Sequence, residues 1–170
     1  MRSESARMSS TAEARFRIDA PNSTPRAIKV IALDRPSEVA LKRIAQLPWN
    51  KAGFLTASAL AGAAHSDGAL SVEHWLSDLV GRTKALIQEI DAADIVIMVT
   101  TAGENTAGAS VIAETCRLRG IMTTVLIRGS ASASDDATAR TLAPLRRDAL
   151  MVVMASADDY IVDMLTALRA

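Results

Sequence analysis

The sequence predicts an α/β protein: a three-layer, doubly wound, mostly parallel sheet of about five strands with helices on both faces. Three observations carry this. Short apolar runs rich in β-branched residues alternate along the chain with longer stretches whose apolar residues recur every three or four positions, the rhythm of successive βαβ units. The run Ile95-Val-Ile-Met-Val99 is apolar without interruption, as suits a strand covered on both sides. It leads into a turn of small and polar residues, Thr100 to Gly108, and then a helical pattern reaching Arg119. Such strand–turn–helix units are where open α/β sheets gather ligands.

In chain order, residues 1–26 are rich in Ser, Ala and Arg and carry Pro21 and Pro25. They read as a flexible N-terminal tail, and residues 27–170 as a single domain. Ile28 to Leu33 is the first strand. Asp34-Arg35-Pro36-Ser37 turns into a helix bearing Val39, Leu41 and Ile44, with Pro36 suited to the first helical turn. Phe54 to Leu60 is the expected second strand. Ala61 to Gly68 is small and polar and includes His65 and Asp67. A long helix follows, marked by Val72, Trp75, Leu76, Leu79, Thr83, Leu86, Ile87 and Ile90. Thr106 is the expected N-cap of the helix after the central strand, and Gly120 its stop. Ile121 to Ile127 is a strand, 129–136 a loop, and Thr138 to Arg147 a polar helix that Pro144 shortens or kinks. Leu150 to Met154 is the last strand. Asp158 and Asp159 open a final helix with Ile161, Met164, Leu165 and Leu168 on one side. Met98, Met122, Met151 and Met154 read as core filling, and Cys116 as packed rather than reactive.

Composition narrows the function classes. The 170 residues are 49% hydrophobic, with 19 basic and 19 acidic side chains and a formal net charge of zero. That balance argues against nucleic acid or an anionic membrane as partner. The single cysteine excludes an intrachain disulfide and a cysteine-cluster metal site. Two histidines without a third ligand at recognisable spacing give no metal centre. No apolar run approaches the ~18 residues of a membrane helix, and the start lacks a hydrophobic signal segment; a cytoplasmic protein is expected.

If the first and third strands are neighbours, the ligand crevice lies between the 34–37 and 100–108 turns. The candidate binding residues are then Asp34, Arg35, Thr100, Thr101, Ala102, Gly103, Glu104, Asn105, Thr106, Ala107 and Gly108, with His65 reaching in from its loop. The helix start behind Gly108 presents N–H groups and the positive end of a dipole. The expected partner is a small anionic molecule or a nucleotide. Each residue also has a structural reading: Glu104 and Asn105 as solvated turn residues, Thr100 and Thr101 as the end of a strand, Asp34 as an ion-pair partner of Arg35 or Lys29. No nucleophile–base pair stands out, so the catalytic residues and any cofactor stay unnamed.

The central segment ADIVIMVTTAGENTAGASVIAETCRLRGIMTTVLI resembles the signature strand, loop and helix of the tubulin and FtsZ family. Weaker likenesses extend to IKVIAL, GRTKALIQEIDAADIV and LRRDALMVVMAS. The resemblance implies a nucleotide-binding α/β fold with its pocket at the 100–108 turn. It does not imply GTP hydrolysis. The family's glycine run is replaced by Asp34-Arg35-Pro36-Ser37, and Glu104, Asn105 and Ala107 stand where glycines or small polar residues are usual. Glu104 repels a phosphate at short range, and the 170 residues hold no counterpart of the second domain that carries the family's acidic loop. Thr100, Thr101, Gly103, Glu104 and Thr106 are also similar to the hydroxyl-rich turn of phosphosugar isomerase-type domains. That resemblance implies an enzyme on a sugar phosphate, with Glu104 or His65 as acid–base group. A third alternative is a non-catalytic assembly domain, a homo-oligomer formed through helix faces 70–90 or 158–168.

Overall fold

Strands form here where β-branched runs can be covered from both sides, and helices where apolar residues line one flank. The computed structural model describes residues 25–57, 72–106 and 108–170. In chain order the elements are β1 (Ile28–Ala32), α1 (Arg35–Ile44), β2 (Ala52–Thr56), α2 (Val72–Asp91), β3 (Ile95–Thr101), α3 (Ala109–Arg119), β4 (Met122–Arg128), α4 (Asp135–Asp148), β5 (Met151–Ala155) and α5 (Asp159–Ala167). The five strands make one sheet in the order β2-β1-β3-β4-β5, and every pairing is parallel. The predicted α/β class and three layers are therefore present.

The period-two alternation of the strands divides the core. Val30, Ile97, Val99 and Leu126 pack under α1 and α5, with Leu41, Ile44, Ile161 and Leu165. Ile31, Val96, Met98, Val125 and Ile127 pack under α2, α3 and α4, with Ile90, Ile112, Cys116 and Leu145. Cys116 is fully buried, and loss of hydration pushes its thiol up to about 11, against a weaker opposing pull from Arg119. Strand order reverses between β1 and β3, so the chain leaves these two neighbours toward opposite edges of the sheet. In open α/β sheets the carboxyl ends at such a reversal are where ligands bind.

Several expectations are corrected. The second strand is Ala52–Thr56 rather than Phe54–Leu60, because pairing with β1 begins at once, Ile28 opposite Ala52; residues 58–60 lie outside those described. Val39 is exposed, and α1 buries Ser37, Ala40, Leu41 and Ile44 instead. The loop expected to reach residue 136 ends at Ser134, whose hydroxyl accepts from the Ala137 amide at 3.2 Å. That cap, with Asp135 and Asp136 in the first turn, starts α4 early. The helix then runs through Pro144 to Asp148 rather than stopping short. Met122, Met151 and Met154 are not core filling: all three are exposed, whereas Met98 is buried. Trp49 is held by its indole N–H on the Ile44 carbonyl, 2.8 Å, and tilts against Phe54.

Candidate functional site

Two helices begin where β1 and β3 diverge, α1 after β1 and α3 after β3. Asp34 is the N-cap of α1 in extended conformation. Its Oδ1 accepts from the Ser37 amide at 2.8 Å and the Thr101 hydroxyl at 3.2 Å. Its Oδ2 accepts from the Ser37 hydroxyl at 3.0 Å and the Thr101 amide at 2.8 Å. The carboxylate is 5% exposed and Ser37 wholly buried. The negative charge needed at the positive end of α1 is thus supplied by the chain itself, and the same group fastens α1 to the end of β3. Beside it, Arg128 at the end of β4 donates from Nε to Asp158 Oδ1 at 2.7 Å and from Nη1 to the Pro36 carbonyl at 3.0 Å. Arg43 donates to the other Asp158 oxygen at 3.0 Å. Asp158 therefore gives α5 no side-chain cap.

The turn after β3 is built differently. The Ala102 amide donates to the Arg128 carbonyl and the Glu104 amide to the Thr101 carbonyl, each at 3.0 Å. Gly103 sits at φ +92°, where a side chain is strained, and its amide donates to the buried Thr141 hydroxyl at 2.8 Å. Glu104 and Asn105 are exposed and Thr106 half-buried. Thr106 is not the N-cap. That position falls to Gly108 in helical conformation, with no side-chain hydrogen bond closing the helix; the Ala109 amide instead reaches the Thr106 carbonyl, 2.9 Å. At the other end Gly120, at φ +68°, stops α3 as expected.

The two threonines that end β3 face opposite layers. Thr101 points to the α1 side and is saturated by Asp34 and Ser37. Thr100 shares the face of Val96 and Met98, the side that α3 covers. It is wholly buried, and among the described residues its hydroxyl has no hydrogen-bond partner. Leaving a buried hydroxyl unpaired costs on the order of 1–3 kcal/mol, which a valine of the same shape would avoid.

Of the predicted site residues, Asp34, Thr100, Thr101, Ala102 and Gly103 come together at the ends of β1 and β3, with Gly108 at the start of α3. Arg35 is exposed. His65 and Ala107 lie outside the described residues. Ser37, Arg128, Thr141 and Asp158 were not named as site residues from the sequence. Ser37 carried a legible signal, a hydroxyl three residues beyond a capping aspartate; the other three are joined to the site only by the strand order. Among the described residues no helix is long and apolar enough to cross a membrane, and no three His, Cys, Asp or Glu side chains cluster as metal ligands. The chain matches no protein-family model and no curated protein, so its chemistry is read from these residues alone.

Proposed function

We propose that this protein binds a small anionic molecule, one bearing a phosphate or carboxylate, at the N-terminus of α3 where β1 and β3 diverge. Nucleotides and sugar phosphates belong to that class. The observation that carries the reading is the Thr100 hydroxyl, buried at the end of β3 and without a partner among the described residues, on the side of a helix start that none of their side chains caps. A ligand oxygen seated there gains the helix N–H groups and dipole and takes up the orphan hydroxyl. GTP hydrolysis forms no part of the proposal, because the 34–37 turn is filled by its own carboxylate.

The test is a thermal-shift panel of inorganic phosphate, nucleotides, sugar phosphates and small carboxylic acids, run on the wild type and on Thr100→Val. A ligand at 100 times its dissociation constant adds about 2.7 kcal/mol to stability. The expected result is a shift with one chemical class in the wild type, lost in Thr100→Val. No shift with any member, or an equal shift in both proteins, overturns the reading.

A further inference from the structure

The outer edge of β5 is chemically unlike the rest of the surface. Among the described strands β5 has one neighbour, β4, so its other row of N–H and C=O groups pairs with no described strand. The strand reads Met151-Val-Val-Met-Ala155, with no charge, proline or other device that natural edges use against pairing. Its register with β4 sets Met151, Val153 and Ala155 on the α5 face and Val152 and Met154 on the α4 face. Met151 is 50% exposed, Met154 56%, and Leu150 at the strand's entry 78%. Apolar side chains thus project past the helical layers on both faces. A single helix laid on one face would cover only half of them; an added strand covers both.

We propose that β5 is a self-association edge, pairing antiparallel with β5 of a second copy to make one ten-stranded sheet about a two-fold axis normal to it. Such an axis keeps each face of the sheet on its own side. With Val153 on the axis, Met151 lies opposite Ala155 of the second copy and Val152 opposite Met154, a large residue against a smaller one each time. The charges also agree. Arg147 is exposed at the entry to β5 and Asp159 is exposed just past its exit, so antiparallel pairing brings the basic end of each copy to the acidic end of the other. The formal net charge of zero leaves no overall repulsion to oppose association. The two-fold reuses one surface on both copies, the commonest form of closed homodimer. This inference does not depend on the ligand site.

The test uses the full chain. Sedimentation over a wide concentration range is expected to show a dimer in the wild type and loss of that dimer in Met154→Glu and Met151→Glu. Both positions are already exposed, and circular dichroism checks that the variants fold. Val153→Cys carries the second arm. The native Cys116 is buried and slow to react, so mild oxidation of this variant is expected to give a disulfide-linked dimer through position 153. A monomeric wild type at every concentration, a dimer that survives both glutamates, or a Val153→Cys protein that does not cross-link overturns the proposal.

Discussion

The start of α1 and the start of α3 stand on neighbouring strands at the same end of the sheet, yet they are finished in opposite ways. At α1 a carboxylate caps the helix, and both its oxygens are occupied by Ser37 and Thr101. At α3, among the described residues, no side chain caps the helix, and the Thr100 hydroxyl at the end of β3 is buried and without a partner. The proposed anion site rests on this difference. A helix start already neutralised by its own aspartate gains little from a second negative group, while one left open retains its full attraction.

The comparison can be broken most forcefully at Asp34. Asp34→Ala removes the cap and strands a buried amide and hydroxyl, and is expected to cost about 3 kcal/mol in urea unfolding. A cost near zero would mean that the carboxylate does not close α1. Next in size, Gly103→Val forces a β-branched residue to φ +92°, with a loss of about 2 kcal/mol. An unchanged denaturation midpoint would show that the turn relaxes at no cost.

A sharper form sets two hydroxyl deletions side by side. Ser37→Ala is expected to destabilise by about 1 kcal/mol, because it breaks a buried bond to a charged acceptor. Thr100→Val is expected to stabilise the ligand-free protein by about the same amount, because it removes an orphan. Equal signs for the two would erase the distinction drawn here. The smallest effect concerns Cys116 on α3. Burial raises the folded thiol's pKa from its ordinary 9.0 to about 11, so the unfolded chain releases this proton first as pH rises. The Cys116 contribution is then complete below pH 9 and lost between there and 11. Urea titrations of wild type and Cys116→Ala at pH 8 and pH 10.5 would check it, the wild type losing more across that interval.

How much of this was legible beforehand follows from the range of each interaction. The α/β class was readable because alternating apolar runs and helical periodicities are local. The placing of the site rested on a condition, that the first and third strands are neighbours, and that adjacency holds. Asp34 was recognised as a residue of interest, but its work was not: the carboxylate's partners include Thr101, 67 positions away, and no local pattern announces that contact. Thr106 looked like a cap because it is a threonine before a helix; the turn through Gly103 delays the helix start beyond its reach. The methionines of β5 were read as core from hydrophobicity alone, whereas the position of a strand at a sheet edge is a global property.

The Asp34 cluster has a consequence for motion. The amides of Ser37 and Thr101, 64 residues apart, hang on one side chain, although one belongs to a helix and the other to a strand. The Thr101 amide is therefore sealed by the anchorage of α1. Any fluctuation that lifts the first turn of α1 frees both amides to exchange with solvent together, so the end of β3 opens in step with a helix that lies far from it in the chain.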